Sequence, residues 1–129
     1  MEKVCKMIYT SYFGKLKSLP SNFEPICIAR WRPAWYKGKS CLALAPSKEL
    51  LNWWRASGQT KEDERIYTEW YRNEVLSKHS AAAVYRIIKN LAPGKIPVLI
   101  CYEKSGFCHR HILRKWLNEN NIRCEEWHE

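Results

Sequence analysis

No apolar run in this 129-residue chain approaches the roughly 18–20 residues that a membrane-spanning helix needs. The opening stretch "MEKVCKMIYT" has no unbroken apolar block of the secretory kind, because Glu2, Lys3 and Lys6 interrupt it. No internal repeat, low-complexity segment or linker divides the sequence. The short Cys-x2–4-Cys spacing of closed zinc sites is missing. So is the Cys-x5-Arg loop of thiol phosphatases, since Arg110 follows Cys101 by nine positions and Cys108 by two. These absences exclude solenoids, zinc ribbons and membrane spans. They leave the expectation of a soluble, cytoplasmic chain folded as one domain over residues 1–129, with no membrane partner.

Cysteine itself is not scarce. Six are present (5, 27, 41, 101, 108, 124), but nothing suggests a secreted disulfide scaffold. With 46% hydrophobic residues the chain builds a core without bridges, so reduced thiols are expected. Cys5, Cys27 and Cys101 lie in strand-like runs, where a thiol acts as a small hydrophobe.

Acidic residues are few, 13 against 22 basic, for a net charge of +9. Residues 1–45 hold eight Lys/Arg against two Glu, and residues 93–117 hold five against one. Residues 118–129 reverse the sign, with Arg123 against Glu119, Glu125, Glu126 and Glu129. A basic surface of this kind attracts phosphate, whether on a nucleotide or a nucleic acid, and equally serves general solubility.

The apolar pattern alternates between strands and helices. "VCKMIYTSYF" (4–13) and "PICIAR" (25–30) read as strands, "WRPAWYKGK" (31–39) as a loop, and "CLALAP" (41–46) as a connection or an edge strand. Ser47, Thr60 and Ser80 are placed as N-caps of three successive helices, the last stopped by Pro93-Gly94. "IPVLIC" (96–101) is the strongest strand, continuous and branched as in a parallel strand covered on both faces. A helix over about 109–120 and a last strand within 122–127 complete the chain. The implied fold is α/β: a compact layer structure with a mainly parallel sheet flanked by helices, Rossmann-like, with one long helical crossover before the 96–101 strand.

Ligands of parallel sheets bind beyond the carboxyl ends of strands, where helices begin. Residues 102–110 occupy that place. Ser105 and Gly106 allow the turn, the first helical amides lack intrahelical acceptors, and Lys104, Arg110 and Arg114 add cations. The expectation is an anion cradle, most readily for phosphate. A packed corner, with Cys108 filling the turn and His109 and Arg110 bonding nearby carbonyls, is the competing reading.

The residues here resemble domain-of-unknown-function family 488. In "PVLICYEKSGFCHRHILRKWL" an apolar strand ends in Cys-x-Glu, and Cys-His-Arg then opens a helix. Cys101, Glu103, Cys108, His109 and Arg110 match that signature. "MIYTSYF" resembles the opening strand, with Thr10 fitting but Ser11 and Tyr12 replacing an Ile-Gly pair. "CIARWRP" resembles the second strand, matching at Arg30 and Pro33 but with Ile28 where an Asp is usual. The resemblance implies a compact α/β fold and a polar cluster at the strand ends. It implies no particular reaction.

Several chemistries remain open. Cys108 or Cys101 beside His109 and Arg110 is a possible thiol nucleophile. Glu103 and His109 are candidate proton-transfer groups, although Glu103 serves equally to pin Arg110 or Arg30. Cys101, Cys108 and His109, with Cys124 or His111, offer soft ligands for zinc, but the spacing argues against it, and neither metal nor cofactor is expected. "RWRPAWYKGK" interleaves Arg30, Arg32, Lys37 and Lys39 with Trp31, Trp35 and Tyr36, a pattern suited to holding phosphate while stacking a base. Trp53, Trp54, Trp70, Tyr67 and Tyr71, at helical spacing, read as core. The expected function is thus binding, alone or with processing, of a phosphorylated, base-containing small molecule or a nucleic acid. Catalysis would fall to Glu103, His109 and Cys108, as in a hydrolase or transferase. Ligand contacts would come from Thr10, Arg30, Trp31, Trp35, Lys104, Ser105, Gly106 and Arg110. The alternatives are a non-catalytic nucleotide-sequestering or sensing protein, and a basic protein-interaction scaffold or inhibitor. A homodimer is compatible with all three.

Overall fold

A computed structural model describes residues 7–104 and 106–128. Five strands form one all-parallel sheet: β1 (Ile8–Tyr12), β2 (Phe23–Cys27), β3 (Lys39–Ser40), β4 (Ile96–Cys101) and β5 (Cys124–Glu126). Their order across the sheet is β3-β2-β4-β1-β5. The helices α1 (Lys48–Ala56), α2 (Lys61–Glu74) and α3 (Ala81–Leu91) fill the crossover from β3 to β4, and α4 (His109–Glu119) links β4 to β5. The α/β layering expected from the sequence is what the chain adopts. Among the described residues no helix is long and apolar enough to cross a membrane.

Local chemistry explains the elements. β4 is the central strand, paired with β1 and β2, and Pro97 to Cys101 are all buried, which is why its sequence runs apolar without alternation. Ser47 caps α1 by accepting from the Leu50 amide at 3.0 Å. Thr60 and Asp63 form a reciprocal capping box at α2. Ser80 accepts from the Ala83 amide at 3.1 Å to start α3. Each cap contributes about 1 kcal/mol.

The pleat then sorts the side chains. Ile8, Ile26, Ile28, Leu99 and Cys101 face a core completed by Leu50, Tyr71, Val84, Ile88, Leu113 and Leu117, so all four helices pack on this face. Cys27, Ala29, Val98 and Ile100 face the other side, covered by Phe13 of a 3-10 turn and by Tyr36 of the 31–39 loop. Burying one Ile or Leu of this kind contributes about 1.5–3 kcal/mol.

Two elements differ from expectation. The edge strand is Lys39–Ser40, at the end of the segment read as loop, while 42–44 is a 3-10 turn. A two-residue strand is defined by hydrogen bonding to β2, not by any period of its own. Residues 4–6 of the expected first strand, and Cys5 with them, lie outside the described residues.

Candidate functional site

The strand-end corner divides into two clusters. The first is closed. Arg110 is 0% exposed. Its Nε and Nη2 donate to the two carboxylate oxygens of Glu126 at 3.1 and 2.9 Å. Nη1 donates to the Glu103 carbonyl at 2.6 Å and to Cys101 Sγ at 3.1 Å, and Nη2 reaches the Lys104 carbonyl at 3.4 Å. Parallel register sets Thr10 beside Glu126, and the Thr10 hydroxyl donates to Glu126 Oε1 at 2.6 Å. Burial works against ionisation of Glu126. The bonds from Arg110 and Thr10 outweigh it and hold the carboxyl below its ordinary value.

This corrects the anion cradle. The Arg110 guanidinium is spent on a buried carboxylate and on the loop carbonyls, and Thr10 is wholly buried. Both brace the corner, and neither lines the open cleft described below. Lys104 is exposed, but its carbonyl serves Arg110 and its side chain does not border the cleft described below. Gly106 takes a left-handed φ of +84°, which glycine adopts freely, and borders an outer groove of about 840 Å³ between α2 and α4 together with Arg114. Ser105 lies outside the described residues.

The second cluster is open. A cleft of about 450 Å³ lies beyond the carboxyl ends of β2 and β4, within the usual range of ligand sites. Arg30 and Trp31 enter it from the turn after β2, Trp54 and Arg55 from the end of α1, and Glu64 and Tyr67 from α2. Glu103 and Phe107 come from the loop after β4, and Cys101, Cys108 and His109 also line it. The Arg30 Nε donates to the Pro46 carbonyl at 2.9 Å, which anchors the side chain. The Arg55 guanidinium lies 5.1 Å from the Trp31 ring centre. Trp54, Tyr67 and Phe107 form one aromatic wall, with centroids 5.0 to 5.4 Å apart.

Trp31 therefore joins this cleft. Trp35, 61% exposed, does not: it packs edge-on against Phe13 on the opposite face of the sheet. Arg55, Trp54, Tyr67 and Phe107 went unrecognised in the sequence, because helical spacing marks core and cleft aromatics alike. The position of Arg55 directly after Trp54, close to the Gly58 stop, is the one signal that could have marked that helix end.

Between the two clusters sit Cys101, Cys108 and His109. The sulfur atoms of Cys101 and Cys108 are in disulfide contact, so the expectation of reduced thiols is not shown for this pair. Cys27, Cys41 and Cys124 are free and buried. The two cysteines are seven positions apart in sequence, at the end of β4 and the N-cap of α4. His109 is buried, with Nε2 2.8 Å from the Ile28 carbonyl. A carbonyl only accepts, so Nε2 carries the proton and Nδ1 is left bare, 3.9 Å from Cys108 Sγ. Burial, reinforced by Arg110, drops the His109 pKa to about 4 despite the opposing bond to Ile28. The ring is neutral near pH 7 and does not attract an anion by charge. Ile28, which replaces the acid usual in the resembling proteins, puts its side chain into the core and offers only this carbonyl.

A helix-flanked parallel sheet with a Cys-x-Glu strand end and a Cys-His-Arg helix start defines the class. The chain belongs to the DUF488 family: residues 23–121 match the DUF488-N3a model, described as the active DUF488-N3 subclade. Comparison with curated proteins and with solved structures finds no match.

Proposed function

We propose that the cleft beyond β2 and β4 binds a phosphorylated, base-containing ligand, a nucleotide or the end of a nucleic acid. The observation that carries this reading is the pairing, in one cleft of about 450 Å³, of two guanidiniums with exposed aromatic faces. Arg30 and Arg55 take the phosphate, and Trp31 or Trp54 stacks on the base. Arg55, lying against Trp31, sets charge and stacking surface side by side. Glu103, at the rim, is the proton-transfer group if the ligand is processed as by a hydrolase or transferase, and the "active" description of the matched subclade accords with that.

The disulfide contact supports a second reading for the oxidised chain. Joined sulfurs offer no thiolate nucleophile, so in that state the protein binds without thiol chemistry.

A thermal-shift panel of nucleotides and sugar phosphates tests the proposal. A ligand at a hundredfold excess over Kd stabilises by about 2.7 kcal/mol, a shift of several degrees in Tm. Arg55→Ala should abolish the shift for the ligand that produces it. No shift with any phosphorylated compound would refute the reading.

A further inference from the structure

Three metal-ligating atoms meet on the cleft floor. The sulfurs of Cys101 and Cys108 and a ring nitrogen of His109 all lie within 4.8 Å of one another, and all three residues are buried. They arrive from the end of β4, the N-cap of α4 and the first residue of α4. The sequence spacing argued against such a site because it lacks a tight Cys-x2–4-Cys loop. The fold removes that objection by bringing the N-cap of α4 against the end of β4.

Each donor is prepared. His109 gives its Nε2–H to the Ile28 carbonyl, the outer contact that usually fixes a ligating histidine, and so presents Nδ1 as the free lone pair. Cys101 Sγ accepts from Arg110 Nη1 at 3.1 Å, and Cys108 occupies the N-cap position of α4. The Cα atoms of the two cysteines stand 7.7 Å apart, wider than the roughly 4.4–6.8 Å that disulfides normally span. Two thiolates on one tetrahedral ion, each about 2.3 Å from it, lie roughly 3.8 Å apart, which suits the wider backbone spacing. Charge also balances: two thiolates neutralise a divalent ion, and Glu126 already neutralises Arg110.

We propose that, in the reduced chain, Cys101, Cys108 and His109 hold one divalent ion of the zinc class, with its fourth position open to the cleft. Three protein ligands plus an open position is the arrangement of reactive rather than structural zinc. Two thiols of an external reductant, leaving as their own disulfide, or one phosphine with one water, leaving as the phosphine oxide, supply the two electrons and two protons that convert the Cys101–Cys108 bond to two thiols. The two thiols so formed then lose two protons as the ion binds. A small-molecule disulfide reverses this: it takes two electrons from the two thiolates, leaves as two thiolates of its own, re-forms the Cys101–Cys108 bond and expels the ion. Metal binding here is therefore gated by thiol redox state.

The inference deepens the ligand reading, because the open position faces the proposed phosphate site, but it is tested without nucleotide. The full chain, reduced with a phosphine and exchanged under nitrogen, is titrated with cobalt(II) alone. Expected are one-equivalent saturation, the intense visible bands of tetrahedral cobalt and a near-ultraviolet thiolate charge-transfer band, all removed by zinc(II) and absent from the oxidised chain. Cys108→Ser should abolish the charge-transfer band or cut it by half, and Cys124→Ser should leave it unchanged. Should Cys108→Ser fail to fold, alkylation of the wild type decides: zinc should slow labelling of Cys101 and Cys108 at least tenfold, and of no other cysteine. No tetrahedral spectrum in the reduced chain, an unaltered spectrum in folded Cys108→Ser, or labelling indifferent to zinc would overturn the proposal. Nucleotide shifts without cobalt binding would sink this inference alone, and cobalt binding without nucleotide shifts would sink only the ligand reading.

Discussion

Two arginines stand near the strand ends, and their fates differ. Arg110 opens α4 within the family signature, yet every nitrogen of its guanidinium has an internal partner, and the side chain is 1% exposed. Arg30, one turn beyond β2, spends only Nε on a carbonyl among the described residues and lines an open cleft, where Arg55 joins it. The difference is set by Glu126, which β5 delivers beside Thr10 in parallel register. An arginine at a helix start binds an anion only when the fold has not already supplied one. Here the fold has.

The sharpest way to break this comparison is to remove the brace. Arg110→Ala leaves Glu126 half-buried with only Thr10 for company. Losing one partner of a buried ion pair costs about 3–5 kcal/mol, so chemical denaturation should show a loss of that size. A loss under about 1 kcal/mol would mean that the guanidinium is not an internal support.

Acid probes the same corner in chelator-treated protein. Above pH 6.5 the His109 ring is neutral in both folded and unfolded chains and contributes nothing. Between 6.5 and about 4 the unfolded chain takes up a proton that the buried ring refuses, so stability falls with pH, by about 3 kcal/mol in all. Glu126 adds a second loss at lower pH: its depressed carboxyl stabilises the fold above its ordinary value of 4.5, and that contribution disappears as pH falls through the folded value. The denaturation midpoint should drop through both windows. His109→Gln should flatten the upper window only.

Smaller effects separate the two exposed tryptophans. Trp31→Ala removes a stacking surface in the cleft and should weaken nucleotide binding by about 1–3 kcal/mol, with little change in Tm. Trp35→Ala, on the far face, should leave affinity unchanged. Equal effects from the two would dissolve the distinction between cleft and cover, and a fluorescence titration of each variant reads it directly.

The sequence carried the elements better than their meeting points. The branched run Ile96–Cys101 and the caps Ser47, Thr60 and Ser80 are local features, legible because hydrogen bonding and periodicity within a few residues determine them. β3 was not legible, since two residues of strand have no pattern. Nor was the role of Glu126: its partners Thr10 and Arg110 lie 116 and 16 residues away, and only sheet order and register join them. The Cys101–Cys108 contact escaped for a related reason, being made by the placement of the α4 N-cap against the end of β4 and not by spacing alone. Arg30 and Trp31 line one cleft, while Trp35, four residues on from Trp31, falls on the other side of the sheet.

The most direct test is a titration of nucleoside monophosphates, followed by tryptophan fluorescence, into wild type and Arg55→Ala. Saturable quenching in the wild type, weakened at least tenfold (about 1.4 kcal/mol) in the variant while its Tm holds, is the predicted result. An absence of saturation, or an Arg55→Ala curve superimposable on wild type, would contradict the claim that the open cleft, and not the braced Arg110 corner, receives the ligand.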